Sequence, residues 1–587
     1  MKKSVFSRLM VELKRFMPAL VFSLICALVT VVCSLAVPMY QGLAVDFIVG
    51  KNNVDFSALY LILKPMTMII IIGGAFTFAM NRINNYVTYK VVQLLREKAF
   101  KKINTLSFPT LDKYSKGDLL SRITTDAESV GDGLLMGFTS LFTGVITIIV
   151  TIGFMVKIHW FEALLVVILT PASFIVAKFV AARTFKYFSG QSEIRGKETS
   201  YVQEMIENQK LVRAFGYEEK AIADFDKLNE ELYETGKRAT FFSSLVNPTS
   251  RAMNNTIYAI IALTGAMFVL SGGFEIGSLA VMGMTVGNLT AFLSYTMQYS
   301  KPFNEISSVV TELQNAFACA KRLFEIIDEE DPVVEKPASK IPDEKASYAI
   351  RFDGVDFSYD KSKKLIQNLN LDVKPGQKIA IVGPTGSGKT TLIQLLMKFY
   401  EPDKGEIFVD DSALSGLDTK WVRENFGMVL QDTWIREGSI RDNLLFARDG
   451  ITDEEMISAA KASGAHSFIR RLPQGYDTVL KSGGEGISQG QRQLLCITRV
   501  MLNVPPMLIL DEATSSIDTR TELKIQAAFG TMMSGRTTFI VAHRLSTVRS
   551  ADKILVIRDG NVVEIGNHDE LLAQKGFYYE LHTAQYE

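Results

Sequence analysis

The sequence predicts an all-α half built on six membrane-length helices with long helical extensions, followed by a layered α/β half. Three observations predict it. Six long apolar runs fall in the first half of the 587 residues. A charged stretch carrying Pro332, Pro337 and Pro342 then breaks the helical pattern. Beyond it, short β-rich runs alternate with helical stretches, the pattern of an α/β domain.

Length and composition bound what these halves do. A chain of 587 residues exceeds one core, so several domains are expected. Lys plus Arg and Asp plus Glu both number 63, and this zero balance gives no electrostatic reason to expect a nucleic-acid partner. Hydrophobic residues make up 48% and the mean hydropathy is +0.16, high for a soluble enzyme. Cys26, Cys33, Cys319 and Cys496 are scattered, with neither metal spacing nor a disulfide framework. Cys26 and Cys33 share one helix face in an apolar run and read as small hydrophobes.

The apolar runs lie near 17–38, 62–84, 135–156, 159–181, 253–272 and 284–305. Each approaches the ~20 residues that span a bilayer. Pro171 falls in the fourth, where neighbouring helices can satisfy the carbonyl it frees. Loops after the first, third and fifth runs are short and poor in cations. Those after the second and fourth are long and basic, with Lys90, Arg96, Lys98, Lys101 and Lys102 in one and Arg183, Lys186, Arg195, Lys197 and Arg213 in the other. The positive-inside rule places both termini and both long loops in the cytoplasm. The basic start (Lys2, Lys3, Arg8, Lys14, Arg15) reads as the cytosolic anchor of a retained helix. A multi-pass protein of the cytoplasmic membrane is expected, with its domains at 1–327 and 348–587 and a linker at 328–347.

The long loops, 85–134 and 182–252, show helical periodicity and read as extensions of the spans into the cytoplasm. Each is interrupted once, by Leu106-Ser107-Phe108-Pro109-Thr110-Leu111-Asp112 and by Val212-Arg213-Ala214-Phe215-Gly216-Tyr217-Glu218. Phe108 and Phe215 at such tips suit docking into a groove on another domain.

In the α/β half, strands are predicted at 350–357, 378–382, 406–409, 507–510, 537–541 and 553–557. The second leads into Gly383-Pro384-Thr385-Gly386-Ser387-Gly388-Lys389-Thr390, the phosphate-binding pattern G-x-x-x-x-G-K-[ST]. A helix opens after it at Thr391-Leu392-Ile393. Glycines let successive N–H groups turn inward at phosphate oxygens, and the helix N-terminus adds a positive dipole end. Lys389 is placed to reach the β- and γ-phosphates of ATP, and Thr390 to offer its hydroxyl to Mg2+. A second apolar strand, Met507-Leu508-Ile509-Leu510, delivers Asp511 and Glu512. Asp511 suits a magnesium ligand, usually through water, and Glu512 a base that orients and deprotonates the attacking water.

Further stretches follow in a telling order: Phe357-Ser358-Tyr359, Val429-Leu430-Gln431-Asp432, Ile487-Ser488-Gln489-Gly490-Gln491, Ser516-Ile517-Asp518 and Val541-Ala542-His543-Arg544. With the phosphate loop, they make this half resemble the nucleotide-binding domain of an ABC transporter. The resemblance implies that Tyr359 stacks on adenine, that Gln431 approaches magnesium and the attacking water, and that His543 contacts the γ-phosphate. It also implies that Thr391, beside the loop, and Ser488, Gly490 and Gln491 of the signature bind nucleotide, as does Asp518 of the D-loop. The implied catalytic set is Glu512, His543 and Gln431, and the implied magnesium set is Thr390, Gln431 and Asp511.

The membrane half resembles six-span exporter domains, through Tyr114-Ser115-Lys116-Gly117-Asp118-Leu119-Leu120-Ser121-Arg122 and Asn288-Leu289-Thr290-Ala291-Phe292-Leu293-Ser294-Tyr295. One membrane domain fused to one ATPase resembles a half-transporter, which implies a second subunit. The signature departs from the family's L-S-G-G-Q, with Ile487 for leucine and Gln489 for the first glycine. The preceding Lys481-Ser482-Gly483-Gly484-Glu485-Gly486 departs from the T-E-V-G-E-x-G of homodimeric exporters. In the family, ATP lies between the P-loop of one subunit and the signature of the other. The combination resembles the hydrolytically competent subunit of heterodimeric multidrug exporters, so a heterodimer is favoured over a homodimer. ATP-driven export of small hydrophobic or amphipathic compounds by alternating access is then expected, with lipid flipping and peptide export as alternatives. Neither nucleic acid nor a redox cofactor is implied. Met282, Met284, Phe292, Tyr295, Met297 and Gln298 suit either an adaptable cargo surface or ordinary helix packing.

Overall fold

The apolar runs become parts of helices much longer than a bilayer is thick. In the computed structural model, Met17–Asp46 spans 30 residues, Phe56–Thr105 spans 50, Trp160–Glu207 spans 48, Glu218–Ser271 spans 54 and Val286–Ile327 spans 42. At about 1.5 Å per residue, the longest run to roughly 80 Å, well beyond the ~30 Å hydrocarbon core. The structure describes residues 4–48, 54–271, 273–276, 279–330, 348–362, 364–430, 433–446, 450–511, 517–542 and 545–584. Among these, four helices are long and apolar enough to cross a membrane: Met17–Asp46, Phe56–Thr105, Lys116–Ile158 and Arg251–Ser271. Trp160–Pro171 is a shorter apolar stretch at the start of its helix.

Two units emerge, and the chain passes between them more than once. Met1–Thr105 and Tyr114–Glu329 form the helical unit, and Leu106–Lys113 joins Glu330–Glu587 in the other.

In the helical unit, glycine sets the closest helix crossing. A Cβ at Gly42 would meet the Gly287 carbonyl oxygen at 2.5 Å, and one at Gly287 would meet the Gly42 carbonyl oxygen at 2.0 Å. Small residues let helices in apolar surroundings approach this closely, where dispersion rather than the hydrophobic effect holds them. Asp46 seals the crossing, accepting from the Thr285 hydroxyl and the Gly287 N–H, both at 2.7 Å. Phe292 and Tyr295 are fully buried, and Tyr295 donates to the Leu35 carbonyl at 2.6 Å. Both are therefore packing residues of this unit, whereas Met297 is exposed and the side chain of Met282 lies outside the described residues. A strand pair, Gly273–Ile276 with Leu279–Met282, joins two of the helices where the sequence suggested only a short loop.

The stretch from Tyr114 to Arg122 is tied to a second helix by ion pairs. Arg122 is nearly buried; it donates to Asp118 at 2.8 Å and to the Arg322 carbonyl at 2.7 Å, and pairs with Glu325 at 3.3 Å. Arg322 reaches back to Asp118 at 2.8 Å and Asp126 at 3.2 Å. Two arginines and three carboxylates thus bind a π-helical turn at Arg122–Asp126 to the end of Val286–Ile327. At that same end, Arg8 holds Asp328, which follows the last helical residue, with two donors.

In the second unit, Asn561–Gly566, Lys553–Arg558, Lys378–Val382, Thr537–Val541, Met507–Asp511 and Phe426–Val429 line up in that order. The sheet is parallel except at the Asn561–Gly566 edge. Every residue of Met507–Asp511 and of Thr537–Val541 is buried, as both faces of a covered parallel sheet require. An antiparallel sheet of Ile366–Val373, Ile350–Phe357, Lys404–Val409 and Ser412–Ala413 accompanies it.

The first interrupted tip belongs to this unit. Ser107 and Pro109 open a one-turn helix, Phe108–Leu111. The Phe108 ring lies 4.5 Å from that of Phe399, and Asp112 accepts a hydrogen bond from Tyr400. Phe215, on the other tip, is 82% exposed in this single chain.

Candidate nucleotide site

The site begins where Lys378–Val382 ends. Gly383, Gly386 and Gly388 take φ of +155°, +82° and +106°. At Gly383 the space is closed as well, because a Cβ there would meet the Ile557 carbonyl oxygen at 2.1 Å. The chain must therefore turn as glycine, and Lys389–Leu396 starts directly from the loop. Lys389 is 8% exposed, and its ammonium donates to the carbonyls of Gly383 (2.7 Å) and Pro384 (2.9 Å). Burial lowers its pKa, opposed by the nearby Asp511 carboxylate. Asp511 ends Met507–Asp511, which Thr537–Val541 separates from Lys378–Val382 in the sheet, and the residue is 6% exposed.

The residues present fit a bound phosphate. The Ser387 hydroxyl is buried with no hydrogen-bond partner among the described residues. A left-handed glycine loop, an orphan hydroxyl and a buried ammonium together suit a polyanion. Thr390 and Asp511 supply a hydroxyl and a carboxylate, the oxygen donors a hard divalent cation takes.

Tyr359 stands beside the loop helix. Its hydroxyl bonds to Thr391 at 3.3 Å and to Gln394, both on that helix. Phe357 and Tyr400 meet its ring edge-on, with centroids 5.0 and 5.1 Å away. Half of the residue stays exposed, and burial of the remainder pushes its phenol pKa up.

A second cluster gathers the signature and the D-loop. Ser488 caps Gln489–Met501 by accepting from Gln491 N–H at 3.3 Å, while the Gln491 side chain accepts from Ser488 N–H at 2.9 Å. This reciprocal box explains a serine and a glutamine at that spacing without any ligand. Gly490 is needed for packing, since a Cβ would meet Thr521 Cγ2 at 2.6 Å and Ile517 Cγ2 at 2.9 Å. Asp518 caps Thr519–Met533 through the Thr521 N–H at 2.9 Å, which lowers its pKa. Gln489 occupies the first helical position, with no left-handed backbone that would call for glycine. The structure thus brings Gly383 to Thr391, Tyr359 and Asp511 into one neighbourhood, and the signature and Asp518 into another. Gln431, Glu512 and His543 lie outside the described residues.

One positioning pair had no signal in the sequence. Arg499, on the signature helix, donates to the Trp434 carbonyl at 2.7 Å and to Asn443 Oδ1 at 2.8 Å. Buried Asn443 bonds the backbone of Arg436 in both directions. The segment just after Gln431 is thereby tied to the helix that carries the signature.

A long-helix membrane unit joined to an α/β unit with a phosphate loop defines an ATPase fused to a transmembrane domain. Residues 20–303 match the ABC transporter transmembrane region and residues 366–515 match the ABC transporter ATPase family. An uncharacterized ABC transporter ATP-binding protein of Bacillus subtilis (strain 168), YfiC, is 37% identical, covering 97% of this chain and 92% of that protein. A fatty acid ABC transporter ATP-binding/permease protein of Mycobacterium bovis is 35% identical over 92% of this chain and 83% of its own. The solved structure of a bacterial Atm1-family ABC exporter with ATP bound aligns with a TM-score of 0.74 and 25% identity, covering 98% of both chains. The chain belongs to the ABC transporter family. It is a multi-pass membrane half-transporter of the exporter type that binds ATP and couples its hydrolysis to transport.

Proposed function

We propose that this chain is the hydrolytically competent subunit of a heterodimeric exporter in the cytoplasmic membrane, with six spans and both termini in the cytoplasm, moving hydrophobic or amphipathic compounds outward. The observation that carries the asymmetry is Gln489 in the signature Ile487-Ser488-Gln489-Gly490-Gln491. Since the backbone there is ordinary helix, a glutamine is accommodated without backbone strain, and its effect falls on whatever nucleotide the signature faces. A side chain at that position hinders close backbone approach to the ATP on the partner's P-loop.

The chain's own P-loop contributes the working half of the other site. Lys389 and the Gly383 to Thr390 backbone hold the phosphates, Tyr359 stacks on the adenine, and Glu512 takes the proton of the attacking water. Gln431 and His543 flank that water and the γ-phosphate. Thr390, Asp511 and Gln431 would hold magnesium, which would supply charge neutralisation at the phosphates. ATP bridging the two ATPase units draws them together, and the tips at Phe108 and Phe215 carry that closure to the spans.

Support for the cargo class comes from the relative named as a fatty acid transporter. An acyl chain with a polar head is amphipathic, and it falls within the class that the exporter resemblance implies.

Expressed alone, the chain should transport little. Expressed with its partner, it should give a stable pair with one fast and one slow ATP site, measured by single-turnover hydrolysis. A purified homodimer with two equivalent hydrolysing sites would sink this reading.

Phe215→Asp tests the coupling. The ring is exposed in this single chain and is read as docking against an ATPase domain of the dimer, so a carboxylate should abolish docking while sparing the ATP site. Transport in vesicles should fall about 10-fold or more, and basal ATPase by less than about 3-fold, since ~1.4 kcal/mol is a factor of ten. Equal losses, or none, would mean the tip does not transmit motion.

A further inference from the structure

His159 joins two helices of the membrane half. It ends Phe142–Ile158, and its Nδ1 caps Trp160–Glu207 by accepting the Glu162 N–H at 3.3 Å. Glu162 therefore stands at the third helical position, where an acidic side chain ordinarily turns back to accept the cap residue's N–H. That donor is already used, because His159 N–H bonds the Met155 carbonyl at 2.9 Å.

The Glu162 carboxyl is left enclosed. The residue has no exposed surface, and neither carboxyl oxygen has a geometric hydrogen-bond partner among the described residues. The polar side chain beside it is Thr264 of the facing helix. Its hydroxyl proton is committed to the Ile260 carbonyl at 3.0 Å, so Thr264 can accept from a carboxyl but has nothing to donate to a carboxylate. Because the enclosure is complete within one chain, neither lipid nor a second subunit can reach Glu162 in this conformation.

Titratable groups nearby do not fill the gap. Phe142–Ile158 brings Lys157, which is exposed. Glu218–Ser271 brings Tyr258 to its membrane part, half-buried, and Arg251, exposed. Val286–Ile327 brings Tyr295, already committed to the Leu35 carbonyl, together with Tyr299 and the exposed Lys301. On its own helix the neighbour is His159, the cap. None of these groups forms a hydrogen bond to the Glu162 carboxyl oxygens.

A buried carboxylate with no donor and no cation is strongly disfavoured, and protonation supplies the missing donor. We propose that Glu162 is a proton-binding site of the exporter: it holds a proton while this helix junction is packed and releases it to water when the junction hydrates. The packed junction binds more protons than the hydrated one, so rising pH disfavours it.

Infrared spectroscopy of the full-length protein in nanodiscs tests this directly. Near neutral pH, the difference between wild type and Glu162→Gln should contain the carbonyl stretch of a protonated carboxylic acid. Thr264→Val, which removes the acceptor, should shift that band without abolishing it. The thermal midpoint of wild type should fall with rising pH relative to Glu162→Gln. A carboxylate band in place of the acid band would overturn the proposal, as would one whose intensity follows added sodium or potassium, which would assign a metal cation instead. If Glu162→Gln fails to assemble, the wild-type acid band and its shift in Thr264→Val decide the matter, and absence of that shift counts against it.

Discussion

Glu512→Gln should leave Mg-ATP binding close to wild type and reduce steady-state hydrolysis by about 10²–10⁴-fold, the usual worth of a positioned base. The amide keeps the size and polarity of the carboxyl but does not accept a proton from water. The residue directly follows the fully buried strand Met507–Asp511, whose last side chain already stands near Lys389. Under the heterodimer reading, this single substitution should silence the pair, because the second site turns over little to begin with. The measurement is phosphate release by the purified pair, alongside nucleotide binding. Turnover within a few-fold of wild type, with the partner's site also disabled, would remove Glu512 from the role of base.

Lys389→Ala should weaken nucleotide binding and turnover together. The ammonium is buried and held by two loop carbonyls, so the wild-type protein keeps a positive charge poised in a nearly closed place. Hydrogen bonds to a charged group contribute about 1.5–3 kcal/mol each, which corresponds to roughly 10- to 150-fold in affinity. Turnover should drop further, because charge builds on the phosphate oxygens as the bond breaks. Titration with a fluorescent ATP analogue and a coupled ATPase assay separate the two effects. Unchanged affinity with unchanged turnover would count against the phosphate cradle.

Legibility in the sequence followed burial. Strands covered on both faces, such as Met507-Leu508-Ile509-Leu510, are unbroken apolar runs and stand out. Ile366–Val373 escaped because it alternates buried Leu369 and Leu371 with exposed asparagine and aspartate, a composition that reads as a turn. Asn561–Gly566 escaped for a similar reason, as an edge strand with alternating exposure. The phosphate loop was legible because close backbone approach demands glycine, and glycine is visible in a sequence. The clamp between Arg499 and Asn443 was not, since a long-range bond to backbone carbonyls leaves no local pattern. Serine and glutamine of the signature read as ligand-facing, and the structure adds that they also cap their own helix.

The eight residues from Leu106 to Lys113 make the ATPase unit discontinuous along the chain. A fragment starting at the linker would carry the whole phosphate site but lack Phe108, leaving the Phe399 ring and the Tyr400 hydroxyl without the partners they have here. The severed ATPase would thus present a bare aromatic patch of its own. Its solubility would report on how much of that unit's cohesion those eight residues carry.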